Sequence, residues 1–361
     1  MMQAASPAVR RIRDTHSWVD YVYGAVARHL WFSSEKHQKA QSRRSIILVS
    51  AIIGASVYAL VLFMAVFSGF ARVLLSTPAA FYGAFGIAWV LAWMRWGLVR
   101  FPRAIEDVRV CFADEKQFLE IADRTIDRLS SRAWAFCLSA VLLCFGLTAV
   151  ILGLFVFVHD PSRSRLLPPA WYQGSRVMHL AILIVLGVSS SLPSGTGLWL
   201  LARNALFLNE IRDLTVVPFP GIILARFRPL TAYYLWIAGS WFLGVTLMAV
   251  IFVGHLNPLP LFLLSLFSLA GIVTAFVPQL IFHAYITHAA SEVAGEFVRI
   301  YKVDFSSRID SASLQVVTSM LQATQPAQVW IINLKDIALV GAGSLLPMAS
   351  VQFRNWLGFH V

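Results

Sequence analysis

The residues of this chain best suited to chemistry lie inside its most apolar stretches. Ser189, Ser190, Ser191, Ser194 and Thr196 put five hydroxyls into nine residues that also hold Pro193, Gly195 and Gly197. Proline removes a backbone donor and crowds the preceding turn, and glycine loosens the turn that follows. The segment therefore predicts a break in a membrane helix. Helix-breaking backbone at membrane depth survives only where it is buried in protein or lines a wet cavity. A new helix start at Ser194 would aim amide donors and a positive dipole end at such a cavity, which suits an anion or a small polar solute. The commoner use of Ser, Gly and Pro in a span is a kink with close helix packing, and both readings stay open here.

A second set, Gln279, His283 and Thr287, repeats every four residues beside Pro278 and falls on one helix face. A neutral histidine there could relay protons, although an interhelical hydrogen bond is the usual role of such a residue. His288, Glu292 and Glu296 continue the spacing, but one helix offers a metal only two adjacent ligands at a time. They read as a solvated face, with no metal and no cofactor expected. Catalytic patterns are missing too: there is no His-Glu-x-x-His, no phosphate-binding loop and no intramembrane carboxylate pair. The expectation is a protein that is not an enzyme.

These residues are positioned by an unusually apolar chain. Of 361 residues, 58% are hydrophobic and 13% charged, which is membrane composition. Charge-free stretches predict six transmembrane helices: two across 45–94, two across 133–202 and two across 229–291, since each charge at the bilayer centre costs roughly 2.5–3.5 kcal/mol. Between them lie a basic segment (1–44), a helical hairpin (95–132) with an apolar stripe of Leu119, Ala122, Ile126 and Leu129, a loop (203–228) and a helical extension (292–336). A hydrophobic element at 337–353 has the minimum length for a span and carries Gly341, Gly343 and Pro347, so it is expected to re-enter or lie at the cytoplasmic interface. The fold class is an all-α multi-pass membrane bundle.

Orientation follows from Lys and Arg. With the N-terminus cytoplasmic, 24 of the 29 fall on inner segments and four on outer ones, so the chain is expected in the cytoplasmic membrane with its N-terminus inside. The same rule accounts for the net charge of +11 without a nucleic-acid partner. The N-terminal segment places Trp18, Tyr21, Val22 and Ala25 among arginines, which suits anionic lipids of the inner leaflet. Cys111, Cys137 and Cys144 are too few for a disulfide framework. Two functions fit: a channel-like or transport-like conduit for a small anion or polar solute, lined by 189–197 with Gln279 and His283, or a non-transporting signalling or scaffold protein acting through its cytoplasmic helices. The solute and the oligomeric state, a homo-oligomer included, are left open.

Overall fold

A computed structural model describes residues 17–30, 43–67, 79–159, 176–252, 258–301 and 334–356, with a few isolated positions besides. Among them every regular element is a helix: α1 (Trp18–Leu30), α2 (Arg43–Phe67), α3 (Ala79–Val108), α4 (Glu115–Leu129), α5 (Arg132–His159), α6 (Arg176–Ile211), α7 (Pro220–Phe252), α8 (Pro258–Tyr301) and α9 (Leu334–Trp356). By length and composition, three described stretches can cross a membrane, Ser45–Phe67, Pro220–Leu247 and Leu264–Glu296, where six were expected. α3 carries Arg95, Arg100 and Arg103 in its second half, and the described apolar part of α5 is the shorter Arg132–Cys144. The hairpin tip at Ser76 to Pro78, the outer loop 160–175, residues 253–257 and most of 302–333 lie outside the described residues.

α7 is the hub. It packs against α3, α8 and α9, while α2 lies on α3 and α5 lies on α6. Close approach is bought with glycine where two backbones meet. A Cβ on Gly54 of α2 would stand 2.7 Å from the Ala84 carbonyl of α3, and one on Gly271 of α8 would stand 2.5 Å from the Phe242 ring of α7.

Below these helices the hairpin takes shape. α3 runs on through Pro102 into its first arm, a 3-10 turn (Arg109–Cys111) reverses the chain, and α4 returns. Asp114 caps α4 by accepting from the Gln117 amide at 2.9 Å, the expected role of a short acidic side chain at a helix start. The turn is clipped to the segment after α6, where the Ala113 amide donates to the Thr215 carbonyl and the Val217 amide to the Cys111 carbonyl, each at 2.9 Å. The buried stripe of α4 is Phe118, Ile121, Ala122, Thr125, Ile126 and Leu129; Leu119 of the expected stripe lies at its half-buried edge.

A single hydrophobic core joins the two regions. Phe101 of α3 meets Phe207 of α6 edge-on at 5.3 Å, Phe112 stacks on Phe118 of α4 at 4.3 Å, and Phe227 of α7 meets Phe282 of α8 at 4.7 Å. Such pairs add about 0.5–1.5 kcal/mol each beyond the area they bury. The apolar end of α8, including Tyr285 and Ile286, packs into this aromatic core.

The C-terminal hydrophobic element is longer than expected. It belongs to a 23-residue helix, α9, that contains Pro347 without interruption. Val340 packs with Ala238 and Phe242 of α7 and Ala275 of α8, whereas Val351 packs with Val245 and Ala249 of α7 and Leu264 of α8. α9 thus runs parallel to α7 and antiparallel to α8.

Candidate functional site

The expected break at Pro193, Gly195 and Gly197 is absent: α6 is one 36-residue helix through all three. The reason is packing. A Cβ on Gly195 would stand 2.5 Å from the amide nitrogen and hydroxyl of Ser139 on α5, and one on Gly197 would stand 2.7 Å from the Trp93 ring of α3. The glycines let two neighbouring helices press onto α6, and that embrace holds a proline-bearing helix in register.

Three of the five hydroxyls are turned onto the helix itself. Ser189 donates to the Val185 carbonyl at 2.6 Å, Ser191 to Val188 at 3.3 Å and Thr196 to Leu192 at 2.8 Å. Ser139 of α5 donates to Ala135 at 2.6 Å and also lies 3.2 Å from the Leu192 carbonyl, beside the proline. Ser191 and Thr196 are buried and Ser194 is half-buried; Ser190 lies in the same helix. Thr196 also accepts the indole N–H of Trp18 at 2.9 Å, which brings α1 against the C-terminal end of the segment.

Around that contact α1 is held by more than its apolar face. Asp20 pairs with Arg95 of α3, Arg95 lies over the Tyr23 ring at 5.8 Å, and Tyr23 bonds Ser50 of α2. Burial pushes the Tyr23 phenol up to about 12, against the opposing pull of its Ser50 hydrogen bond. The inward residues of α1 are Val19 and Tyr23, whereas Tyr21 is 66% exposed.

On α8 the three-residue face does not act together. Gln279 is buried, and neither atom of its amide finds a hydrogen-bond partner among the described residues. His283 is half-buried, and Thr287 is exposed with its hydroxyl on the His283 carbonyl at 2.9 Å. His288 pairs with Glu292 at 3.3 Å and Glu296 with Arg299 at 2.6 Å, all on the surface. Among the described residues no three His, Cys, Asp or Glu side chains stand where they could hold a metal.

The densest polar cluster is one that spacing alone did not single out. Arg203, 1% exposed, donates to both carboxylate oxygens of Glu210 at 2.8 and 3.2 Å and to the Thr125 hydroxyl of α4 at 2.9 Å. Asn204 beside it donates to the Leu200 carbonyl at 2.7 Å, and its own carbonyl accepts from Tyr234 of α7 at 3.1 Å. A signal was present in the sequence. Arg203 and Glu210 are seven apart, two helical turns on one face, directly after a charge-free run. The cluster fixes α4 against α6.

No known protein family, curated protein or solved structure matches this chain.

Proposed function

We propose that this chain is a multi-pass membrane scaffold or signalling protein that couples its bilayer helices to a cytoplasmic helical face, rather than a solute conduit. The observation that carries this reading is the state of the Ser189 to Gly197 segment. Ser189, Ser191 and Thr196 are engaged with their own helix, Thr196 also with Trp18, and the glycines seat Ser139 and Trp93, so these features of the segment serve packing. The shared aromatic core then gives a displacement among α3, α6, α7 and α8 a direct route into α4.

Membrane placement with the N-terminus inside is part of the same proposal, and it is supported by boundaries read independently on separate helices. Charge-free stretches end at Ser45 on α2, Met94 on α3, Ala133 on α5 and Ala202 on α6. Near those ends Tyr23 donates to the Ile46 carbonyl at 3.4 Å, Trp96 stacks with Trp236 of α7 at 3.6 Å, and Trp134 stacks with Trp199 at 5.2 Å. Tryptophans gathered at the edge of charge-free helices form the belt expected at a membrane interface. On that level α9 begins near the inner edge and reaches Ala249 and Leu264 in the outer half, so it is a further spanning helix of this proposal.

Flux measurement on purified protein in liposomes tests the central claim. Anion and small-solute permeability equal to that of empty liposomes is the expected result, and permeability that scales with protein content would sink it. A second reading, the conduit, is favoured by the unpartnered amide of buried Gln279. Under that reading Gln279→Leu abolishes flux; under ours it leaves permeability unchanged and raises thermal stability, because it removes an uncompensated buried polar group.

A further inference from the structure

We propose that the cytoplasmic arms of α3 and α7 form one hinged flap that swings against α4 and α6 about Pro102 and Pro229, and that Thr231 and Gln279 pair in its swung arrangement. The flap's role in signalling rests on the scaffold reading above. Both prolines lie inside uninterrupted helices and at one height. Phe101, next to Pro102, meets Tyr233, one turn beyond Pro229, at 5.3 Å. Proline has no amide proton, so the carbonyls of Leu98 and Ala225, four residues earlier, lose their helix donors. Sharp bends in helices concentrate at such positions. Below them the two arms are joined at the foot, where the Ala113 amide donates to the Thr215 carbonyl and the Val217 amide to the Cys111 carbonyl, each at 2.9 Å. Arms that are jointed at one height and tied at the foot share a single rotation.

The body against which the flap moves is fastened separately. α6 has no proline between Ser194 and Ile211, and α4 is held to it by Arg203 on the Thr125 hydroxyl at 2.9 Å and by the Trp199 indole N–H on the Arg128 carbonyl at 2.8 Å. Between flap and body the rings of Phe101 and Phe207 meet at 5.3 Å and those of Phe112 and Phe118 at 4.3 Å. Ring pairs hold together in offset and edge-on arrangements alike, so the seam tolerates sliding. At the foot Arg109 and Glu115 add an ion pair at 3.4 Å, partly exposed and therefore weak.

Two buried polar groups at the height of the joint point to the second arrangement. Neither the hydroxyl of buried Thr231 nor the amide of buried Gln279 finds a hydrogen-bond partner among the described residues. Thr246 and Thr274, by contrast, return their hydroxyls to the carbonyl four residues back, each at 2.8 Å. Thr231 lies between Phe227 and Ala238 on α7 and Gln279 between Ala275 and Phe282 on α8, and those four flanking residues pack across the seam of the two helices. The two unpaired groups thus share one level. An unpaired buried hydroxyl penalises the resting arrangement, and a bend at Pro229, two residues away, brings it to the Gln279 amide oxygen as a donor.

Pulsed electron-spin distance measurement on the full chain in lipid nanodiscs tests the flap, in a background where Cys137→Ser and Cys144→Ser remove the exposed thiols. One spin label is carried by Glu120→Cys on α4, and the other by Ile222→Cys on the flap or Asn209→Cys on α6, all three exposed positions. The flap pair should give two distances and the pair within the body one. Pro102→Ala with Pro229→Ala should reduce the flap pair to a single distance; should that double variant fail to fold, each single proline variant should lose most of the second distance. Thr231→Val and Gln279→Leu should each lower the swung population about fivefold, the effect of one net hydrogen bond, and together no further, while Thr231→Ser keeps it. A single distance for the flap pair in wild type, or two that persist without the prolines, overturns the hinge. Losses at Thr231 and Gln279 that are absent or additive overturn their pairing. Liposome permeability is read separately: a leaking protein with two distances keeps the hinge and loses the scaffold reading, and an impermeable one with a single distance does the reverse.

Discussion

Gly195 is the residue at which two opposed expectations for α6 can be separated. A broken, wet helix would welcome alanine there, whereas a helix pressed against Ser139 cannot, since the added Cβ would lie 2.5 Å from backbone that has no rotamer to change. Gly195→Ala should therefore destabilise the protein by about 1–3 kcal/mol, the usual cost of overpacking, and Gly197→Ala should do the same against Trp93. At Gly239 and Gly244 of α7 a Cβ meets nothing within 4 Å, so alanine there should be neutral or stabilising by up to ~1 kcal/mol of helix propensity. Thermal unfolding of the four variants in one detergent checks this; a Gly195→Ala variant as stable as wild type would restore the open segment. Cys111 gives a second residue-level outcome. It is fully buried in the hairpin turn, and burial raises its thiol from 9.0 to about 11, with Arg226 pulling the other way. The folded protein keeps the proton while the unfolded chain gives it up near pH 9, so the contribution to stability is whole below that pH and is lost as pH rises through 11. In native protein at pH 8 Cys111 should resist maleimide from either side of a membrane, whereas Cys137 and Cys144, which are exposed, should take up a lipid-soluble reagent. Labelling of Cys111 without denaturant would show that the turn opens.

Among the elements, α4 has the most specific attachment. Its apolar stripe would bind any complementary groove, but Thr125 commits it to the face of α6 that carries Arg203. Removing one partner of a buried ion pair costs about 3–5 kcal/mol; Glu210 keeps 26% of its side chain exposed, so Arg203→Ala should fall near the lower end. Its local signature is faster amide exchange in α4 than in α7, and uniform exchange across both helices would count against α4 as a separately held unit. Charge-free runs made the bundle helices and the hairpin legible from sequence, because insertion cost and apolar periodicity are local properties. What they could not supply was partnership. Pro193, Gly195 and Gly197 weaken an isolated helix, and only Ser139 and Trp93, 53 or more residues away, convert the same three residues into a contact surface. In Leu334–Trp356 a glycine has a packing role that spacing could not show: Gly343 lies where a Cβ would stand 3.0 Å from Phe242, so its small size serves the packing of α9 on α7.

At the scale of the whole molecule, the direction of α9 decides where the chain ends. Contacts that progress from Ala238 to Ala249 along α7 leave Trp356 at the end opposite to α4. With the N-terminus cytoplasmic, a reporter fused after Val361 should be active only in the form that works outside the membrane. Activity of the cytoplasmic form would mean that α9 folds back, contrary to its parallel course beside α7. The clip between the hairpin turn and the segment after α6 has a different kind of consequence, in time. Phe112 pairs with Val216, so on the order of 100 residues must be synthesised after the first partner before the second exists, which at about 5–20 residues per second is a wait of roughly 5–20 s. Throughout that interval the stacked rings of Phe112 and Phe118 lack the covering that Phe207 and Phe227 later provide. The vulnerability of the nascent hairpin to proteolysis should therefore peak in ribosome-bound chains that stop short of Val216.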